Sequence, residues 1–175
     1  MKELLYSALD VAALIYPLNM GIKEESELLG RIWEGEKPFL VQKYRSDQRR
    51  FLLDVRYWED YFFDKPTIDR EFPAIQKDII SSVLSEDEFL TDFSNLDLFF
   101  KSIRLRILYA DGRDYICMKI RSIMRQYGYK RRSEQLILHF DRCMHFYHIE
   151  ATLRGGAVCD IGTDSLDKMV TFRVI

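Results

Sequence analysis

Consecutive cationic residues in the last third of the 175-residue chain are its most distinctive candidates for chemistry. Lys130, Arg131 and Arg132 are followed by Gln135 and Arg142 at spacings that place Arg131, Gln135 and Arg142 on one side of a helix. Arg can pair bidentately with guanine, and Gln can pair in the same way with adenine. The spacing therefore predicts a helix face that could read base edges in a DNA groove.

Further cations on either side of this group could hold the nucleic-acid backbone. We expect phosphate contacts from four side chains, namely Lys119, Arg121, Arg125 and Arg154. Leu138 shares the outward face of the same helix, where it could touch a thymine methyl group. It could equally mean that this face packs against protein, in which case the basic residues would be solvated or ion-paired.

Enzymatic chemistry has weaker support in the sequence. The chain contains no GxxxxGK[ST], GxGxxG, HExxH or GxSxG motif. His139 and Cys143 are one helical turn apart and could share a metal ion, but a core histidine and a core cysteine are the more common explanation. We therefore predict no catalytic residues, no metal and no cofactor.

Two short patterns leave a nuclease as an alternative. Arg142 and His148 have the Arg-x5-His spacing seen in helical HEPN-type ribonucleases, and Arg132 and His139 come close to it. Such short patterns arise easily by chance. Asp54 and Glu59 could serve as metal-nuclease carboxylates, although no Lys follows Glu59 in the position that an E-x-K motif requires.

Charge is distributed unevenly along the chain. Residues 1–98 hold 12 Lys and Arg against 20 Asp and Glu, a net charge of −8, whereas residues 99–175 hold 14 against 8, a net charge of +6. We expect an acidic module at 1–93 and a basic domain at 94–175, with no flexible linker between them. A basic domain often binds nucleic acid. The two parts could instead neutralise each other across an internal interface.

The basic domain has a regular pattern of helix and strand signals. A helix is predicted from Asn95 to about Tyr109, and a second helix begins at Asp114 with Gly128 at its end. The apolar positions of that second helix are Ile116, Ile120, Ile123, Met124 and Tyr127. A third helix runs from Lys130 to about Phe146, and residues 149–153 and 158–161 flank Gly155-Gly156 as a β-hairpin. A last strand covers residues 169–174.

This order of a helix, a short turn with Gly, a second helix and a β-hairpin resembles the winged helix-turn-helix superfamily over residues 94–175. The resemblance is to the fold and to no particular family within it. It implies that the helix starting at Lys130 enters the major groove. It also implies that a wing around Arg154-Gly155-Gly156 touches the backbone or the minor groove.

The acidic module is predicted to be helical with one hairpin. Helices cover Leu4–Tyr16, before Pro17, and Glu24–Glu34. Residues 38–44 and 51–57 flank a polar tip at 45–48 and read as a β-hairpin, and a further helix follows Pro73. The first helix is apolar on a broad face, which favours dimerisation or docking onto a larger partner. The fold class is therefore α+β, with a helical module that includes a hairpin followed by a winged helix.

Cysteine usage and hydropathy indicate the compartment. Three Cys without a CxxC pair argue against a disulfide framework and suit a reducing cytoplasm. No apolar run has the length of a membrane span, so we expect a cytoplasmic protein without membrane contact.

The function expected from these patterns is non-catalytic binding of nucleic acid, DNA in the first place, with RNA as an open alternative. The protein would be a homodimeric regulator or the small recognition subunit of a DNA-processing or defence complex. A protein-interaction adaptor that docks through the winged helix is the main alternative, because one fold serves many functions.

Overall fold

The computed structural model describes residues 4–63, 94–110, 112–126 and 129–175. The chain divides into two compact units, Met1–Thr91 and Asp92–Ile175. The helix predicted after Pro73 lies outside the described residues, as do the predicted positions Tyr127 and Gly128. Within the described parts, no helix combines the length and the hydropathy needed to cross a membrane.

The described part of the N-terminal unit is helical. Its helices are α1 (Ala8–Ile15), α2 (Ile22–Glu36), α3 (Gln42–Arg45) and α4 (Gln48–Phe63). Short 3-10 turns that contain Pro follow α1 at Tyr16–Leu18 and α2 at Lys37–Phe39. A parallel bridge joins Tyr6 to Leu40. The two helices predicted at the start of this unit are confirmed.

A capping box fixes the start of α1. The hydroxyl of Ser7 accepts the N–H of Asp10 at 3.1 Å, and the Asp10 carboxylate accepts the N–H of Ser7 at 2.8 Å. Val11 and Ala12 are fully buried, and the helix packs on α4. The broad apolar surface of α1, from which dimerisation was expected, is therefore covered within the N-terminal unit.

The hairpin predicted at residues 38–57 is wrong, because α3 and α4 occupy this segment. The polar tip contains a helix start: the Asp47 carboxylate accepts the N–H of Arg50 at 2.9 Å, as an N-cap does. Phe51 and Val55 are then one turn apart, and both are fully buried. Helical spacing of these buried side chains outweighs the β-propensity of the Phe, Val and Tyr residues in the segment.

The C-terminal unit combines helices with a small antiparallel sheet, and the α+β class is confirmed. Its elements in chain order are α5 (Ser94–Leu105), a π-helical turn (Arg106–Ala110), β1 (Ile116–Lys119), α6 (Ile120–Gln126), α7 (Glu134–Phe146), β2 (Ile149–Leu153) and β3 (Met169–Val174). The strand order is β1-β3-β2, and both pairings are antiparallel.

Aromatic rings form the core between the helices and the sheet. Phe100 of α5 contacts Phe140 of α7 and Phe172 of β3 at centroid distances of 5.4 and 6.3 Å. Phe99 contacts Phe172 at 5.9 Å. All four rings are buried and edge-on to one another, which is the favoured arrangement of aromatic pairs. This core fixes the position of α7.

One helix prediction and one strand prediction in this unit are wrong. Residues 116–119 were expected at the start of a helix with a cap at Asp114, but they form β1, and the helix begins only at Ile120. Ile116 and Ile120 are buried as expected, although their four-residue spacing crosses a strand-to-helix junction. The run 158–161 is not a strand: Val158 makes a single bridge to Thr152, and the antiparallel partner of β2 is β3.

Candidate nucleic-acid interface

Helix α7 presents a continuous outward face opposite the core. The Ser133 hydroxyl caps the helix by accepting the N–H of Leu136 at 3.2 Å. The buried side consists of Leu136, Phe140 and Cys143. The helix predicted from Lys130 begins only at Glu134, because Ser133 caps it, so Lys130, Arg131 and Arg132 precede the helix. The side chains predicted to face outward are nevertheless all exposed, and they are Arg131, Gln135, Leu138 and Arg142. Leu138 is 61% exposed.

Six of the predicted contact residues are exposed cations. They lie at the end of β1, on α6, before and on α7, and after β2, and they are Lys119, Arg125, Lys130, Arg131, Arg142 and Arg154. None of the six forms an ion pair with another residue that the structure describes. Lys119 lies close enough to Asp167 to help lower the pKa of that carboxyl.

Arg121 and Arg132 have partners within the unit. The guanidinium of Arg121 donates twice to the Asp167 carboxylate, at 2.7 and 2.9 Å, and this contact lowers the pKa of Asp167 and raises that of Arg121. Arg132 is half-buried and donates through one nitrogen to the carbonyl oxygens of Ile161 and Asp164, at 2.8 and 2.5 Å. Both arginines hold the loop between β2 and β3. The sequence contained no spacing signal for these contacts.

The loop at residues 154–168 has a defined conformation that its own hydrogen bonds stabilise. It begins with Gly155 and Gly156 at φ +99° and +88°, conformations that side-chain-bearing residues rarely adopt. The Cys159 N–H returns to the Ala151 carbonyl at 2.9 Å. The Asp164 carboxylate binds Lys168 at 2.7 Å, and this ion pair lowers the pKa of Asp164. The glycine turn of the predicted hairpin is thus confirmed, with a longer loop than expected.

A buried polar cluster joins α5 to the inner side of α7. Asp97 Oδ1 lies 2.5 Å from His139 Nε2 and 3.3 Å from Cys143 Sγ. The sequence paired His139 with Cys143 but missed Asp97, an acidic residue among the apolar positions of α5. Burial, followed by the Asp97 carboxylate, raises the pKa of the Cys143 thiol well above its usual range.

The residues of the nuclease alternative do not come together in one arrangement. Arg142 is exposed on α7, whereas His148 follows the helix in a left-handed conformation with φ 52°. His139 is bound to Asp97, and Arg132 is bound to the loop. Asp54 accepts a hydrogen bond from the Tyr44 hydroxyl at 2.7 Å, on a helix rather than at a hairpin end.

A second group of titratable side chains lines a pocket of about 390 Å³ in the N-terminal unit. Glu59 of α4 meets Glu25 of α2 there, and Arg56 lies 3.8 Å from Glu25. Burial and the neighbouring Glu25 carboxyl raise the pKa of Glu59 to about 8. The sequence gave no sign of this pair, because its members are 34 positions apart on different helices.

Comparison with known proteins returns no similar chain: no family model, curated protein or solved structure matches this sequence or fold.

Proposed function

We propose that the C-terminal unit is a winged helix-turn-helix domain that binds nucleic acid, DNA in the first place, through the outer face of α7. The order of elements supports this proposal. Helices α5, α6 and α7 are followed by antiparallel strands β2 and β3, which stand where a winged helix carries its hairpin. The loop at residues 154–168 would be the wing.

The observation that carries the proposal is the exposed face of α7. Gln135 and Arg142 point away from the core on α7, which Phe140 and Leu136 hold in place, and Arg131 is exposed two residues before the cap of this helix. Their side chains suit hydrogen bonding to base edges, because Arg recognises guanine and Gln recognises adenine bidentately.

Cations around this face would supply the backbone contacts. Lys119 precedes α6, Arg125 lies on it, Lys130 precedes α7, and Arg154 begins the loop. Each phosphate neutralised by such a cation releases counterions, which makes binding weaken as salt concentration rises. Arg121 and Arg132 act mainly as positioning residues for the loop in this proposal, because their guanidinium groups are already hydrogen-bonded.

A protein partner is the second candidate for the same face. Leu138 lies between Gln135 and Arg142 along the face and is 61% exposed, which is the feature that favours an adaptor. An apolar side chain of this size contributes more to a protein interface than to phosphate contacts. Salt dependence separates the two candidates.

The N-terminal unit would provide the contact with a second copy or a larger partner. Leu53 and Tyr57 are one turn apart on α4 and are 56% and 64% exposed, respectively. A homodimer in size-exclusion chromatography would favour a regulator that reads two half-sites. A monomer would favour the small recognition subunit of a DNA-processing or defence complex.

The test is binding of the full chain to random duplex DNA at several salt concentrations. Arg131→Ala and Arg142→Ala each remove one exposed charge from the proposed face, and Arg49→Ala removes an exposed charge from α4 as a matched control. We avoid Arg132→Ala, because that substitution would also release the loop.

We expect affinity to fall steeply with salt, and each face variant to bind more weakly and to reduce the slope of log binding constant against log salt by about 0.9, because it removes one charge from the proposed face. Arg49→Ala should bind as the wild-type chain does. Absence of binding by the folded chain at low salt would refute the nucleic-acid proposal and leave the protein adaptor. Equal effects of Arg131→Ala and Arg49→Ala would refute the assignment of the α7 face. Parallel titrations with duplex RNA distinguish the two nucleic acids.

A further inference from the structure

The cluster of Asp97, His139 and Cys143 combines three side chains that ligate metals in proteins. One oxygen, one nitrogen and one sulfur atom lie within 4.8 Å of one another. The residues come from two helices, Asp97 from α5 and the other two from adjacent turns of α7. Asp97 and Cys143 are 3% and 0% exposed, and the His139 side chain is 10% exposed.

Hydrogen bonds alone explain the contacts among Asp97, His139 and Cys143, but in an arrangement that is unusual for a buried cysteine. A carboxylate accepts only, so the Cys143 thiol and the His139 Nε2–H both donate to the same oxygen, Asp97 Oδ1. Thiols are weak donors, and a free buried cysteine more often packs as a small apolar side chain. Here Cys143 is turned instead toward the one acidic side chain of the cluster.

We propose that Asp97, His139 and Cys143 form a metal site that takes a borderline-soft divalent cation, Zn²⁺ in the first place. The mixture of carboxylate, imidazole and thiolate is typical of zinc, with metal–ligand distances of about 2.0 to 2.3 Å. A tetrahedral ion at those distances separates its ligand atoms by about 3.4 to 3.6 Å. The Cys143–Asp97 separation of 3.3 Å is already close to this value.

Two adjustments complete the site. The 2.5 Å separation of His139 Nε2 and Asp97 Oδ1 opens by about 1 Å to reach the tetrahedral spacing of a zinc site. Zn²⁺ also replaces the two hydrogens that face Asp97. The thiol proton passes to water, and the neutral imidazole exchanges its Nε2 proton for one on Nδ1 through water, so that Nε2 is free to ligate.

The charge of the site is then balanced. One divalent ion, the Asp97 carboxylate and the Cys143 thiolate sum to zero, and a water molecule takes the fourth position. Lys101 and Arg142 carry positive charges near Cys143, and the two anionic ligands offset their repulsion of the metal.

The proposed site differs in place and chemistry from the nucleic-acid face. It lies on the inner side of α7, between this helix and α5, whereas Arg131 and Gln135 point outward. A bound ion would tie α5 to α7 within the C-terminal unit. The proposal stands whether or not the outer face binds DNA.

The test uses the full chain stripped of metal by chelation and titrated with Co²⁺ alone, followed by Zn²⁺ as competitor. Cobalt reports its own ligands, because thiolate coordination gives a charge-transfer band in the near ultraviolet and tetrahedral geometry gives intense visible bands. We expect one Co²⁺ per chain with both signals, loss of both on adding one equivalent of Zn²⁺, and a higher melting temperature with Zn²⁺ than with chelator.

Variants assign the ligands. Cys143→Ser should abolish the thiolate band, and His139→Gln and Asp97→Asn should each weaken Co²⁺ binding more than the about 10- to 100-fold cost of losing an outer-shell partner. Cys117→Ser and Cys159→Ser are matched controls and should keep the band.

The wild-type titration decides the question even if a ligand variant does not fold. A stripped, folded chain that gives no thiolate–cobalt band at one equivalent would overturn the proposal and leave a hydrogen-bonded cluster. A band that survives in Cys143→Ser but disappears in Cys159→Ser would also overturn it, by assigning the metal to other residues.

Discussion

Replacing Glu59 by Gln should remove most of the pH dependence from the stability of the N-terminal unit. Glu59 lies in the pocket beside Glu25, with Arg56 and Asp60 as its other charged neighbours. Burial and Glu25 raise its pKa from 4.5 to about 8, whereas the two flanking charges act in opposite directions. Between these pH values the folded chain holds a proton that the unfolded chain has released. The contribution of Glu59 to stability is therefore fully present below pH 4.5 and is lost as pH rises toward 8.

The size of this effect follows from the displacement of the pKa. A carboxyl shifted from 4.5 to about 8 sets an upper bound of about 5 kcal/mol on the change in stability. Glu59 is only partly buried, so solvent screening reduces the expected change to about 1 to 2 kcal/mol. Glu59→Gln has no proton to lose in this range, and its stability should be nearly independent of pH.

Tryptophan fluorescence isolates the relevant unit. Both tryptophans of the chain, Trp33 and Trp58, lie in the N-terminal unit, and all three histidines lie between residues 139 and 148. Urea unfolding followed by this signal between pH 5 and 9 therefore reports a unit without histidine titration. Glu34→Gln removes a carboxylate exposed at 65% and is the matched control.

Two results would refute this reasoning. The wild-type chain could show the same fluorescence-detected free energy of unfolding at pH 5.5 and pH 8.5. Alternatively, the free energy of unfolding could depend on pH with the same slope in Glu59→Gln, in the control Glu34→Gln and in the wild-type chain. Either result would mean that Glu59 ionises in the folded protein much as it does in water.

Three further predictions test the packing and the loop. Gly30→Ala should raise the free energy of unfolding in urea by about 0.5 to 1 kcal/mol, because the added methyl lies within a helix and meets only Gln48, at 3.7 Å. Gly155→Ala should lower it by about 1 to 2 kcal/mol, because the backbone there has φ +99°. Effects of the same sign would contradict both predictions. Asp167→Asn releases the Arg121 guanidinium from its carboxylate partner. If Arg121 then reaches a phosphate, the slope of log binding constant for DNA against log salt should steepen by about 0.9. An unchanged slope would exclude that contact. Phe140→Ala should cost about 3 to 5 kcal/mol in the C-terminal unit, measured by circular dichroism, and a loss below about 1 kcal/mol would contradict its central packing.

Helix positions in the C-terminal unit could be predicted because the apolar spacing is regular. Leu136, Phe140 and Cys143 are buried as their periodicity indicates, and the outward face follows from the same count. The helix predicted over residues 116–119 is wrong because Ile116 and Ile120 fit a helical apolar pattern that crosses the junction of β1 and α6. Burial alone could not distinguish the two elements, since a pairing partner for β1 lies more than 50 residues away in β3.

Long-range polar contacts were beyond sequence reasoning for a related reason. Arg132 reaches carbonyl oxygens about 30 positions away, and Asp97 meets His139 across 42 positions. Neither contact produces a periodic pattern in the sequence from which it could be predicted. The prediction of an N-terminal hairpin is wrong for a local reason instead, because an Asp such as Asp47 is as common in a turn as at a helix cap.

The anchoring of the loop at residues 154–168 has a thermodynamic consequence for any molecule that docks against it. Arg132 and Arg121 secure its later part, and the Cys159 N–H secures its middle. Most of the loop is thus ordered before a partner arrives, and association loses little conformational entropy there. Binding at this loop should therefore lack the large negative heat-capacity change of coupled folding, and its association rate should depend on electrostatic steering rather than on a slow ordering step.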